Sequence, residues 1–80
     1  MKPNEMLRQF RESQGLSLRQ FTDMLNKQLP PGMGTYFMAV HNWETGQAAI
    51  PFYMWFYLSY KGRGDLSDFA YNLCKAMVDA

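Results

Sequence analysis

Glycine and proline divide this chain into five short segments, and that division constrains its fold more than any other feature. The breaks fall at Gly15, at residues 30–32, at Gly46 and at residues 61–64. Proline cannot continue the interior of a helix, and glycine adopts the left-handed conformation with which many helices end. Between the breaks, apolar residues recur at helical spacing, and no segment alternates as a β-strand does. The sequence therefore predicts an all-α fold of five short helices, formed by a single domain over residues 1–80.

Capping residues predict where these helices begin and end. Asn4, Ser17 and Thr35 are expected N-caps, Pro51 is expected at the first position of the fourth helix, and Asp65 or Ser67 caps the fifth. The expected ends are about Gln14, before Leu29, about Glu44 and before Lys61. The third helix accordingly covers residues 36–44, and Gly46 terminates it.

Apolar stripes predict which side of each helix faces the core. On the second helix the stripe is Leu18, Phe21, Met24 and Leu25. On the fifth it is Leu66, Phe69, Ala70, Leu73 and Met77. On the third helix we expect Val40 and Trp43 to face inward, preceded by either Phe37 or Ala39.

Composition narrows the classes of function. The chain is 48% apolar, enough for a real core, and its formal net charge is only +1. The single cysteine, Cys74, excludes an internal disulfide and suggests a reducing, cytoplasmic location. With His41 as the only histidine we expect no metal and no cofactor, and the apolar run 50–60 is too short to span a membrane. The sequence offers no catalytic triad, metal cluster or phosphate loop, so we do not expect an enzyme.

Two segments carry a resemblance to a known family. The first is Leu7-Arg8-Gln9-Phe10-Arg11, followed by Gly15-Leu16-Ser17 and the helix 18–25. The second is Val40-His41-Asn42-Trp43-Glu44-Thr45-Gly46, which contains a Trp-Glu-x-Gly element and precedes Pro51. In this order they resemble the lambda-repressor-like, or XRE-type, helix-turn-helix domains over about residues 5–60. The chain departs from that family between Leu25 and Val40, where the turn is several residues longer.

The resemblance implies a sequence-specific double-stranded DNA-binding regulator of transcription, expected to be a repressor of phage or mobile-element type. Such a domain places its third helix in the major groove. The implied base contacts are Tyr36, Phe37, Met38, His41, Asn42 and Thr45. An amide such as that of Asn42 pairs with adenine in two places. Because no Arg or Lys lies on this helix, we expect an A/T-leaning site or a large contribution from DNA shape.

Phosphate contacts are expected at the start of the second helix and at scattered cations. The candidates are Ser17, Arg19, Gln20, Lys27, Lys61 and Arg63. The inserted segment 26–34 is interpreted either as reaching a phosphate or a partner, or as a solvated insertion without a role.

The run 52–58 is apolar on all sides, which one helix of a small domain cannot hide. We therefore expect a homodimer, with interface candidates Phe52, Tyr53, Trp55, Phe56 and Tyr60. The alternative is that the fifth helix covers this face entirely.

At several positions a structural role of the side chain is an alternative to a functional one. We expect Trp43 in the core, Glu44 bound to backbone amides or to an arginine, and Cys74 buried as a small apolar residue. Asp65 and Asp68 are expected as residues of a helix start, and His41 is either a surface residue or a DNA contact. For the whole chain, the alternatives are a protein-interaction module that keeps the fold without DNA binding and a DNA-packaging or recombination accessory factor.

Overall fold

A computed structural model describes residues 1–79, in which all regular structure is helical. In chain order the helices are α1 (Pro3–Ser13), α2 (Leu18–Gln28), α3 (Phe37–Thr45), α4 (Phe52–Lys61) and α5 (Asp65–Asp79). They pack into a body of 29 × 24 × 23 Å. The expected all-α, five-helix architecture is confirmed, and residues 29–36 form the longest connection between consecutive helices.

One apolar core joins all five helices. Its fully buried side chains include Leu7 of α1, Phe21 of α2, Val40 of α3, Trp55 of α4 and Leu73 of α5. The expected stripes of α2 and α5 all face this core, and on α3 it is Ala39, and not Phe37, that packs against it. Rings from three helices meet in the interior. Phe69 stacks on Phe10 with ring centroids 4.1 Å apart. It also contacts Trp55 in an edge-to-face arrangement with centroids 5.7 Å apart.

The start of α2 carries the expected cap. Ser17 Oγ accepts a hydrogen bond from the backbone N–H of Gln20 (3.1 Å), and Gln20 Oε1 accepts one from the backbone N–H of Ser17 (2.9 Å). These reciprocal bonds form a capping box, which satisfies amides at the helix start. At the end of α3, Gly46 adopts the left-handed conformation with φ 79° and terminates the helix.

Four predicted capping roles are wrong, and two predicted boundaries are off by one residue, since α3 covers 37–45 instead of 36–44 and α4 includes Lys61. Lys2, and not Asn4, occupies the N-cap position of α1, because the helix already begins at Pro3. Tyr36, and not Thr35, is the N-cap residue of α3, which has no side-chain cap. Pro51 is the N-cap of α4 in an extended conformation (ψ 114°) instead of its first helical residue.

The fourth concerns α5. Its first helical residue is Asp65, so neither Asp65 nor Ser67 is its N-cap, and Ser67 lies inside its first turn. The Ser67 hydroxyl donates to the carbonyl of Ser59 (2.9 Å). Asp65 and Asp68 both lie in this first turn, where the helix dipole favours negative charge, as the sequence suggested.

A nearly buried ion pair connects α1 to the end of α3. Arg11 Nε and Nη2 donate to the two carboxylate oxygens of Glu44 at 2.8 and 3.0 Å, and Arg11 Nη1 donates to the carbonyl of Leu16 at 3.0 Å. The Glu44 side chain is 3% exposed and that of Arg11 is 15% exposed. The hydrogen bond to Glu44 raises the pKa of Arg11 above its ordinary value despite burial. The expectation that Glu44 binds an arginine is therefore confirmed.

We expect Glu44→Leu to destabilise the protein by about 3 kcal/mol, because it leaves the Arg11 charge unpaired in a nearly dry site. Urea unfolding followed by tryptophan fluorescence measures this change. Glu12→Gln, at an exposed carboxylate of α1, is the control and is expected to cost less than about 0.5 kcal/mol. The double variant Arg11→Met/Glu44→Leu is expected to recover much of the loss. If the double variant is no more stable than Glu44→Leu, the unpaired charge of Arg11 is not the cause of the destabilisation.

Candidate functional site

One side of α3 is exposed and carries most of the predicted base contacts. Met38, His41, Asn42 and Thr45 follow one another at helical spacing, so they share a side of the helix. The opposite side consists of Val40, Trp43 and Glu44, all buried, which confirms the core position of Trp43. With Tyr36, which is 66% exposed, and Phe37, these four residues form what we call the α3 face: Tyr36, Phe37, Met38, His41, Asn42 and Thr45.

The polar groups of the α3 face differ in their availability. The Thr45 hydroxyl donates to the carbonyl of His41 at 3.0 Å, so its proton is already used within the helix. The side chains of His41 and Asn42 are half-buried and make no hydrogen bond to residues 1–79. The amide of Asn42 therefore presents both a donor and an acceptor to an incoming ligand.

Arg19 of α2 extends over the start of α3. Its guanidinium carbon lies 4.0 Å from the centroid of the Phe37 ring, a cation–π contact. The two side chains border a cleft of about 270 Å³ between α2 and the connection to α3, which Asp23 and Asn26 also line. The structure thus brings a cation to the α3 face that α3 itself lacks.

Asn26 fixes the last part of the long connection before α3. Its Nδ2 donates to the carbonyl of Thr35 (2.9 Å), and its Oδ1 accepts from the Thr35 amide (2.8 Å). A Cβ added at Gly34 would lie only 3.3 Å from this Oδ1, so the backbone there passes close to the amide. Sequence reasoning missed this role, because an asparagine at the end of a helix gives no signal of a partner nine residues away.

We expect Asn26→Ala to accelerate hydrogen exchange at the Thr35 amide about fivefold, since one hydrogen bond contributes about 1 kcal/mol. NMR hydrogen exchange at neutral pH measures this rate. Lys27→Ala, at the exposed neighbouring position, is the control and is expected to leave the Thr35 rate unchanged. Equal exchange in the wild type and Asn26→Ala contradicts a fixing role for Asn26.

The predicted phosphate contacts fall into two groups at opposite ends of α2. Ser17, Arg19 and Gln20 are exposed at its start, and Arg19 contacts Phe37 of the α3 face. Lys27 is exposed near its end, where the backbone N–H of Arg63 donates to Gln28 Oε1 at 2.7 Å. Eleven helical residues separate these ends by about 15 Å. Lys61, the last residue of α4, is also exposed and precedes Arg63 by two residues, so it belongs to the second group.

A second surface lies between α4 and α5. Phe52 stacks on Phe56 (5.8 Å between centroids), and Phe56 meets Tyr60 edge to face (5.0 Å). Phe52 and Phe56 line a groove of about 240 Å³ whose other side is formed by α5 residues, namely Tyr71, Lys75, Val78 and Asp79. We call this surface, with Tyr60, the α4–α5 groove. Its aromatic residues are between 43% and 73% exposed, so the alternative that the fifth helix covers this face entirely is wrong.

Two of the interface candidates do not belong to this groove. Trp55 is fully buried against Phe69, so its assignment to a dimer interface is wrong. Tyr53 is exposed but does not line the groove. Tyr60 does not line it either, and it extends this surface only through its edge-to-face contact with Phe56. Conversely, the groove includes Tyr71 and Val78, which sequence reasoning missed although their spacing of seven residues places them on one side of α5.

Three further features of the described residues bear on function: the Cys74 thiol, possible metal ligands and possible membrane-spanning helices. Cys74 is buried at the base of the groove, and this burial raises the pKa of its thiol, as expected for a small apolar residue. No group of three or more His, Cys, Asp or Glu side chains in residues 1–79 is arranged to hold a metal ion. Over the same residues, no helix combines the length and apolar character needed to cross a bilayer.

No protein-family model matches this chain, and no curated protein or solved structure is significantly similar to it. The α3 face and the α4–α5 groove are therefore interpreted from their own geometry.

Proposed function

We propose that this chain is a sequence-specific double-stranded DNA-binding regulator of transcription, a repressor that inserts α3 into the major groove as a homodimer. One observation carries the proposal. The buried side of α3, Val40, Trp43 and Glu44, anchors it to the core, while the α3 face stays open to solvent beside Arg19. The major groove admits an α-helix and presents a distinct donor and acceptor pattern at each base pair.

The chemistry of the α3 face favours A/T base pairs. Asn42 has an uncommitted amide, which suits the N6 and N7 atoms of adenine. Met38 and Tyr36 expose apolar surface that suits a thymine methyl group. Ser17 and Gln20, exposed at the start of α2, are the proposed phosphate contacts that position the helix. Lys27, Lys61 and Arg63 extend the phosphate contacts at the other end of α2.

A second copy of the chain is the proposed occupant of the α4–α5 groove. At roughly 200 Å² for a fully exposed ring, Phe52, Phe56, Tyr60 and Tyr71 expose about 450 Å² of aromatic residues. This is more than half of the roughly 800 Å² that each partner buries in a stable interface. Lys75 and Asp79 border the same groove with opposite charges, so a two-fold axis passing between them pairs each with its counterpart of opposite sign.

A protein-interaction module without DNA binding is the second candidate. Two observations favour it, namely the absence of Lys and Arg from α3 and the apolar α4–α5 groove, which can also bind another protein. A DNA-packaging or recombination factor with the same fold is expected to bind duplexes with little sequence preference.

Selection from a random duplex library, followed by fluorescence-anisotropy titration, separates these three functions. For a regulator we expect an enriched A/T-leaning sequence, bound at least about a thousandfold more tightly than a scrambled duplex and more weakly as salt rises. Equal affinity for both duplexes indicates a packaging or accessory factor. Absence of binding at low salt rejects all DNA-binding functions and leaves the interaction module.

We expect Asn42→Ala to weaken binding to the selected duplex by five- to a hundredfold, because a bidentate base contact is lost. The scrambled duplex is expected to bind this variant as it binds the wild type. Asn72→Ala removes an exposed amide from α5, away from the α3 face, and is the matched control. If Asn42→Ala and Asn72→Ala bind the selected duplex equally well, Asn42 contacts no base.

We expect Phe56→Arg to raise the dissociation constant of the homodimer at least about tenfold, since it places a charge at the centre of the aromatic row. Sedimentation velocity over a concentration series measures the change. Tyr53→Arg, outside the groove on the same helix, is the control. A larger effect from Tyr53→Arg indicates that the interface lies on another side of α4. A wild type that stays monomeric rejects the homodimer.

A further inference from the structure

We infer that Arg19, held against the ring of Phe37, contacts a guanine in the major groove and so determines part of the sequence preference from outside α3. This inference rests on the proposed DNA-binding function and adds a base that the α3 face does not account for. It gives Arg19 a base contact in place of the phosphate contact suggested by the sequence. It gives Phe37 the role of a positioning residue in place of a direct base contact.

The position of the Arg19 side chain carries the inference. Its guanidinium carbon is 4.0 Å from the ring centroid of Phe37, the first residue of α3. Arg19 is exposed, and within residues 1–79 no ion pair or hydrogen bond engages its guanidinium. Asp23, one turn further along α2, lines the same cleft without pairing to it. Arg11 is the opposite case, because Glu44 and Leu16 occupy its donors.

Stacking on an aromatic ring leaves the donors of a guanidinium available. The contact uses the flat face of the group, whereas the five N–H donors lie in its plane and point outward. The ring restrains a side chain that is otherwise flexible, so less freedom is lost when the donors engage a ligand. Guanine presents two acceptors, N7 and O6, on its major-groove edge, and a bidentate arginine is their commonest partner.

The location along α3 predicts where this guanine lies. Phe37 and Asn42 are five residues apart, which is about 7.5 Å along the helix axis. Successive bases are about 3.4 Å apart, so this distance corresponds to roughly two base-pair steps. We therefore expect a guanine two or three base pairs from the adenine that Asn42 contacts.

Parallel selections with the wild type, Arg19→Lys, Arg19→Ala and Phe37→Leu test the inference. We expect the wild type to select a guanine at that spacing with five- to a hundredfold preference over other bases. Arg19→Lys keeps the charge but not the planar fork, so it is expected to lose most of this preference and less of the overall affinity. Phe37→Leu keeps the arginine and is expected to relax the preference in part. Arg8→Ala, at an exposed arginine of α1, is the control for charge.

Replacing the selected guanine with 7-deazaguanine, which lacks the N7 acceptor, tests the contact atom directly. We expect this duplex to bind the wild type more weakly and to bind Arg19→Ala as well as the unmodified duplex does. The inference is overturned if Arg19→Ala weakens all duplexes equally and lowers the salt slope by about 1, as for a phosphate contact. It is also overturned if no guanine is selected at that spacing. A wild type without any sequence preference instead rejects the proposed function itself.

Discussion

The ion pair between Arg11 and Glu44 is the interaction on which the arrangement of the first three helices depends. One guanidinium binds both carboxylate oxygens at the end of α3 and also the carbonyl of Leu16 in the link between α1 and α2. Glu44 adds a second connection to α1, because its backbone carbonyl accepts a hydrogen bond from the side-chain Nδ2 of Asn4 at 3.4 Å. A charge pair this deeply buried is stable only when its donors and acceptors are nearly all engaged, which makes the geometry of α1 and α3 mutually dependent.

The start of α3 is held by different interactions. No side chain caps it, yet Asn26 binds the Thr35 backbone in two places and Arg19 covers the Phe37 ring. A long connection between two helices would otherwise allow the second helix to vary in orientation. Here both ends of α3 are fixed, the first by polar contacts to α2 and the last by the ion pair to α1.

The sequence predicts the helices and their buried stripes well, because apolar spacing, glycine and proline act locally. It predicts the caps less reliably. Asn4 is a good capping residue, but Pro3 can itself begin the helix, which moves Asn4 inside α1. The run 52–58 is apolar at nearly every position, so its spacing does not separate the buried Trp55 from the exposed Phe56. The contacts of Asn26 and Arg19 depend on the path of the connection 29–36, which no local pattern specifies. Of the candidate site, the sequence therefore predicts the α3 face but neither the groove partner residues on α5 nor the cation over Phe37.

The two sides of α3 share no residues, and this separation has an evolutionary consequence. Val40, Trp43 and Glu44 carry the contacts that hold the helix, whereas Met38, His41 and Asn42 take little part in them. Substitutions at exposed positions without structural partners usually change stability by only a few tenths of a kcal/mol. Selection can therefore replace the outer residues of α3 many times over while the scaffold stays intact. The outer surface of α3 can therefore change its chemistry without a change of fold.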